Sequence, residues 1–278
     1  MSMRRSPLGV IGAVLIGVVA VVAALAPLLA PYDPHALAGD SLQPPSSRHL
    51  LGTNNLGQDL LSQIIWGARS SLVVAVAAAT VAVVLGTAVG ATAGMLGGVV
   101  DAAVMRVVDV ALAVPRLPLL VLVAALAGAS RTSVTLVIGL LTWPVVARLV
   151  RSQTLSLRGR GFIHAARGFG GGLPYIVRRH LVPALGPVLV ATFVAISANA
   201  VLLEASLAFL GLGDPAGMSW GLILNRALLH PGLYFTSAWL WWVLPAGFAI
   251  TLSVLGFTFL GVGLEPVLNP RWRRVGPS

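Results

Sequence analysis

No cysteine and no lysine occur in the 278 residues; all 18 basic side chains are arginines. Without cysteine the chain has neither disulfides nor thiolate metal ligands, and its redox compartment cannot be read from it. Without lysine it cannot complete the Gly-x-x-x-x-Gly-Lys-Ser/Thr loop that cradles nucleotide phosphates, so it does not bind ATP by that route. Charge of either sign is scarce. Only 9% of residues are charged and 57% are hydrophobic, against roughly a quarter charged in soluble domains. Such a chain has too little polar surface to face water on all sides, and lipid is the environment that fits it. Acids number 8, which leaves a net charge of +10. The arginines interrupt apolar runs and form no continuous basic groove, so the excess reads as membrane orientation and not as a nucleic-acid site. No Gly-x-Ser-x-Gly elbow is present, and no two of the five histidines have the His-x-x-x-His spacing of a metal site. No catalytic residue, resident cofactor or metal ligand is expected in this chain.

What is present is a series of long apolar runs. Leu8–Ala30 is uncharged and follows Arg4 and Arg5. About 20 apolar residues cross the hydrocarbon core, and the run is too long for a signal peptide, so it reads as a retained first span. Pro31–Arg69, rich in Pro, Ser, Asn and Asp, reads as an excursion out of the lipid. Ser70–Val100 is the second span, with Gly94, Gly97 and Gly98 expected to end its helix in a turn. The third starts in the interface near Asp101, among Arg106, Asp109 and Arg116, bends at Pro115 and Pro118 and ends near Ala129. Thr132–Val150 is the fourth, Leu181–Leu203 the fifth and Ala238–Leu264 the sixth, its start marked by Trp239, Trp241 and Trp242 as an interfacial belt. Glu204–Ser237 is a second polar excursion.

From Arg148, at the end of the fourth span, the chain runs through Arg151, Arg158, Arg160, Arg167, Arg178 and Arg179 to the fifth with no acid among them. The positive-inside rule places this loop, both termini (with Arg271, Arg273 and Arg274 in the tail) and therefore the whole basic side in the cytoplasm, and both excursions outside. The expectation is an all-α integral membrane protein of six transmembrane helices. Its divisions are 1–69 (first helix and outward segment), 70–268 (helices two to six, with a cytoplasmic loop at about 155–183) and 269–278 (tail).

The loop reads FIHAARGFGGGLPYIVRRHLVP over 162–183. Phe162, Ala165, Ala166 and Phe169 recur at i, i+3, i+4 and i+7, one face of a helix, while His164 and Arg167 fall on other faces. Gly168, Gly170, Gly171 and Gly172 permit a sharp turn, Pro174 suits the start of a second helix, and Leu173, Val177, His180 and Leu181 line a face of it. Pro183 is expected to end it. Spacing alone fits an amphipathic hairpin resting on anionic lipid as well as an element that docks a partner protein.

The order of these residues resembles the EAA loop of ABC importer permeases, whose pattern is Glu-Ala-Ala, three residues, Gly, nine residues, then Ile-x-Leu-Pro. The matching positions are His164, Ala165, Ala166, Gly170, His180, Val182 and Pro183. Further blocks resemble the dipeptide/oligopeptide/nickel branch of that family, in its C-type subunit. They are LAPLLAPYDPHA (25–36), HLLGTNNLGQDLLSQIIWGARSSL (49–72), MRVVDVALAVPRLPLL (105–120), WPVVARLVRSQTLSLRGRGF (143–162), LLEASLAFLGLGDPAGMSWGLIL (202–224) and LGFTFLGVGLEPVLNPRWR (255–273). They cover nearly the whole chain in order, which a lone Ala-Ala-x-x-x-Gly would not. Departures are His164 in place of the Glu that names the loop, and Asn54, Gln58 and Gln63 in place of the usual Asp, Arg and Arg.

The resemblance implies a type I importer permease with six transmembrane helices and a cytoplasmic coupling helix–turn–helix. It implies that Phe162, His164, Ala165, Ala166, Arg167, Phe169, Gly170, His180 and Pro183 meet a cytoplasmic ATPase. It also implies as partners a homologous second permease, two ATPases that hold ATP and magnesium, and an extracytoplasmic binding protein, with short peptides as substrate and nickel or another small solute as the alternative. Two other readings stay beside it. Arg106 and Asp109, three apart, are placed to pair at the interface. Glu204 is a candidate proton-relay carboxylate of a self-sufficient secondary transporter, or else simply the outward end of the fifth span.

Overall fold

The computed structural model describes residues 7–268, with side chains to Leu264. Arg4, Arg5, the Arg271, Arg273 and Arg274 tail and the side chain of Glu265 lie outside the described residues. In chain order the helices are α1 (Pro7–Ala24), α2 (Ala26–Leu29), α3 (Leu60–Leu96), α4 (Gly98–Ala113), α5 (Arg116–Ala127), α6 (Arg131–Arg158), α7 (Gly161–Gly168), α8 (Leu173–Ile176), α9 (Val182–Phe209), α10 (Trp220–Leu228) and α11 (Ala238–Leu268). A π-turn, Val177–Leu181, joins α8 to α9, and a 3₁₀ turn, Leu233–Phe235, precedes α11. Among the described residues, five stretches are long and apolar enough to cross a membrane: α1, α3, α6, Leu173–Phe209 and α11. The pair α4 and α5, bent by 89°, is a broken sixth.

Asp59 decides where α3 begins. Its Oδ2 accepts from the backbone N–H of Ser62 at 2.8 Å and from the Ser62 hydroxyl at 2.7 Å, an N-cap that starts the helix at Leu60. The first excursion therefore ends well before Arg69, and Gln63, Trp66 and Arg69 ride on α3. Gly94 is not a turn residue. It stays helical, and its missing side chain admits α6: a Cβ there would lie 2.8 Å from the Cβ of Thr154. Gly86, Gly90 and Gly94 face Val146, Ala147 and Thr154 in ascending order, so α3 and α6 run parallel with backbones in close approach, as small residues allow between membrane helices. The turn belongs to Gly97 and Gly98, at φ +68° and +57°.

The helix α6 continues past Val150 to Arg158, so three arginines of the basic stretch are helical. Arg151 grips Asp101 with two donors, Nη2 to Oδ2 at 2.6 Å. Arg158 donates to the carbonyl of Gly94 at 3.1 Å, near the end of α3 where a cation is favourable. Asp109 pairs with Arg148 of α6, not with Arg106. The two acids are eight residues apart on α4, about 12 Å of helix, while their partners are three apart on α6, about 4.5 Å. Thus α4 crosses α6 obliquely at that end of the bundle, and after the break at Val114 and Pro115 it is α5 that climbs back along α6. Of the two prolines expected to bend this span, Pro115 does so, while Pro118 sits within the first turn of α5.

Helix α1 packs antiparallel on α11, with Gly9 against Gly263 and Gly12 against Leu260 and Gly256. Pro7 and the end of α11 therefore lie at the same end as α7 and α8, the hairpin end. The 30–59 segment and α10 form the opposite, cap end. There α9 runs on to Phe209, beyond the Leu203 limit set by composition. Glu204 is consequently a buried helical residue, 4% exposed, and its Oε2 accepts from the Ser71 hydroxyl at 2.9 Å. The tryptophan belt is also divided: Trp239 faces outward, but Trp242 is 1% exposed in the core, and Trp241 lies over Gly52 of the cap.

Candidate functional site

The hairpin is fixed to the bundle by four buried side chains, with Leu173 and Val177 packed beside them. Ile163 and Ala166 of α7, Ile176 of α8 and Leu181 of the π-turn enter a core with Ala91 and Met95 of α3, Val146 and Val150 of α6 and Leu185 of α9. Ile163 and Leu181 are wholly buried. The face formed by Phe162, Ala165, Ala166 and Phe169 is thereby split. Ala166 turns inward beside Ile163, whereas Phe162, Ala165 and Phe169 stay outside, Phe169 at 92% exposure. Sequence reasoning missed Ile163 and Ile176; the signal available for the first was its i, i+3 spacing to Ala166.

The turn explains Phe169. Gly171 N–H donates to the carbonyl of Ala166 and Gly170 N–H to that of Arg167, both at 2.9 Å, the pair of bonds that closes a Schellman motif. Gly170 stands at the left-handed position with φ +80°, and Phe169, the C-cap, swings clear of the helix. A Cβ on Gly170 would meet nothing within 4 Å, so its requirement is conformational and not spatial.

Pro183 does not end the second helix. The N–H of Val182 bonds the carbonyl of Val177, the i→i−5 closure of a π-turn, and this extra residue lets α8 run into α9 past a proline that donates no bond. Leu173–Phe209 is one stretch of 37 residues reaching from the hairpin to the cap end.

Between α7 and α8 the turn leaves an open cleft of about 560 Å³, walled by Phe162, Ala165, Phe169, Gly170, Tyr175 and His180. His180 stands edge-on to Tyr175 with ring centroids 5.5 Å apart; Tyr175 was not among the residues the sequence singled out. Of the expected coupling residues, the cleft gathers these five and the edge of Ala166. His164 and Arg167 are exposed on α7 outside it, and Pro183 is exposed on α9. Arg160, Arg167, Arg178 and Arg179 are also exposed, and among the described residues none of their side chains makes a hydrogen bond or ion pair.

At the cap end the arrangement is the reverse. Gln58 Oε1 accepts from Asn54 Nδ2 and from Gln63 Nε2, both at 2.8 Å, and Gln58 Nε2 donates to the carbonyl of His35 at 2.9 Å. Asn54 and Gln63, two of the departures noted in the outward block, thus both bond the third, Gln58, in one buried amide cluster. Beside it His49 Nδ1 lies 2.9 Å from Asp59 Oδ1, with both side chains buried.

Residues 82–274 match the family model for the binding-protein-dependent transport system inner membrane component. Residues 2–45 match that for the N-terminal TM domain of oligopeptide transport permease C. The chain is 35% identical to the dipeptide transport system permease protein DppC of Alkalihalophilus pseudofirmus, over 98% of this chain and 88% of the relative. It is 32% identical to a probable D,D-dipeptide transport system permease protein of Escherichia coli K12, over 97% and 89%. A putative peptide permease protein of Brucella suis is 38% identical over 88% and 81%. With its broken third span, its hairpin continuous with α9 and both family models matched in order, the chain belongs to the binding-protein-dependent transport system inner membrane components, as a multi-pass permease subunit of the C type.

Proposed function

We propose that this chain is the permease subunit through which an ATP-driven importer moves short peptides, the substrate class that its relatives' names carry. The hairpin end faces the cytoplasm, in keeping with its unpaired arginines, and the cap end faces outward toward a substrate-binding protein. A homologous second permease supplies the other half of the path. ATP and magnesium are held by two ATPase subunits, and this chain is not catalytic.

The observation that carries the reading is the cleft. Phe162, Phe169 and Tyr175 are exposed aromatic side chains around a gap with no lipid-spanning role, the composition of a protein contact. The groove of an ATPase receives them. Because α7 follows α6 within three residues and α8 runs into α9, a shift of the hairpin moves both helices along their whole length. Closure of the ATPases on ATP draws the paired hairpins together and opens the path outward; hydrolysis returns it inward, a bundle with two packings biased by nucleotide. His164 contributes a hydrogen-bonding imidazole where the family carries an acid, and the exposed arginines supply the charge at that contact.

A gentle pull-down of the tagged full-length chain from native membranes, read by mass spectrometry, tests this directly. Recovery of a second permease with P-loop ATPases is the expected result. Repeated recovery of the chain alone, with uptake that collapses on adding an ionophore, would sink it in favour of a self-sufficient carrier.

A further inference from the structure

Arg116 stands where the helix pair α4 and α5 breaks. Its Nη2 donates to the hydroxyl of Thr142 on α6 at 2.6 Å. Thr142 lies in the uncharged stretch of α6 between Arg131 and Arg148, about 16 Å from the first and about 9 Å from the second at 1.5 Å per residue. The guanidinium is therefore inside the hydrocarbon depth. It reaches for Thr142 and does not snorkel to the hairpin end, as an arginine of lipid-facing origin would.

No described carboxylate answers it. Asp101 and Asp109 are taken by Arg151 and Arg148, Glu204 by Ser71, and Asp33, Asp40, Asp59 and Asp214 belong to the cap-end segments. Arg116 Nε is buried and has no hydrogen-bond partner. An arginine held in the membrane marks a functional site. Its surroundings say which. The break residues Val114, 42% exposed, and Pro115 are both exposed, so this non-helical segment is not covered by the chain's own helices. Backbone of that kind survives at membrane depth only against another protein or along a water-filled cavity, and broken helices are where transporters build substrate sites.

We infer that Arg116 is this chain's carboxylate-binding residue in the translocation path, taking the terminal carboxylate of a passing peptide through the Nη donors that Thr142 leaves free. The inference rests on the peptide-importer reading. It is tested on the complete transporter in lipid nanodiscs without binding protein, by retention of tritiated dialanine on wild type, Arg116→Gln and Arg116→Lys. Wild type is expected to retain the dipeptide, with dialanine amide about tenfold or more weaker as a competitor than dialanine, since a charged hydrogen bond is lost. Arg116→Gln should lower retention by a similar factor, with Arg116→Lys between. Equal competition by acid and amide, no retention by wild type, or retention unchanged in Arg116→Gln would overturn the assignment. So would loss of the second permease from Arg116→Gln preparations, which would make the arginine an intersubunit ion pair. ATP-driven uptake by wild type with its binding protein, run in proteoliposomes, tests the importer reading separately, so its failure is not mistaken for that of Arg116.

Discussion

The two ends of this bundle are finished to different degrees. Of the helices that start at the cap end, α3, α6 and α10 are each capped at the N-terminus by a side chain, Asp59, Ser130 and Ser219. Helices that start at the hairpin end, α4, α7 and α8, have no side-chain cap. The cap buries amides, a histidine and a carboxylate and satisfies them internally. The hairpin is held by apolar contacts and backbone turns alone, and leaves aromatic and cationic groups outside. Polar groups that are already paired gain little from a partner, whereas exposed aromatics and free guanidinium donors gain much. The cap's buried amide and carboxylate cluster is closed within this chain; the hairpin has no such polar core and presents its aromatic and cationic groups outward.

Substitutions test that contrast. The largest loss of stability is expected from Asp59→Ala, which removes the α3 cap and leaves buried His49 and Ser62 without their partner, about 3 kcal/mol; thermal unfolding of the detergent-solubilised chain reads it. Gln58→Leu should cost about 2 kcal/mol by leaving Asn54 Nδ2 and the His35 carbonyl without their partner and Gln63 Nε2 with the Pro34 carbonyl alone. Gln58→Arg alone should cost at least as much, and adding Asn54→Asp and Gln63→Arg should recover most of it, since neighbouring substitutions couple. Additive losses would show that the three departures are unrelated. Gly170→Val places a β-branched residue at φ +80° and should cost about 1–2 kcal/mol. Its larger effect is expected on transport, with ATP hydrolysis retained and uptake lowered by about tenfold. Phe169→Ala should change stability by under about 0.5 kcal/mol while lowering co-purification of the ATPases. A melting shift for Phe169→Ala as large as that for Gln58→Leu would erase the difference between the two ends.

Much of the fold was legible because a membrane imposes a simple code. Uncharged runs of sufficient length located α1, α3, α6, α9 and α11, and Pro115 marked the broken span. Boundaries were less legible. Helices in this chain outlast their apolar runs, as α6 does to Arg158 and α9 to Phe209, because arginines and a buried Glu204 find partners on neighbouring helices that composition does not reveal. For the hairpin, the positions of the turn and of Gly170 were readable, since only glycine adopts that backbone freely. Which of its residues face the cleft was not. The i, i+3, i+4, i+7 pattern grouped Ala166 with Phe162 and Phe169, and only the packing of Ile163 on α3 and α6 rotated α7 so that Ala166 went in and the aromatics stayed out.

By itself the sequence determined the lipid environment, the count of spans, the basic side and the place of the turn. These follow from local quantities: hydropathy over some twenty residues, arginine position and the φ a residue tolerates. Only the tertiary structure decided that Asn54, Gln58 and Gln63 form one cluster, that Pro183 passes inside a continuous helix, and that Arg116 reaches Thr142 of α6 with no carboxylate among the described residues beside it. Each of those depends on which atoms meet across elements distant in sequence, and a side chain's partners, not its own chemistry, settle whether it is structure or site.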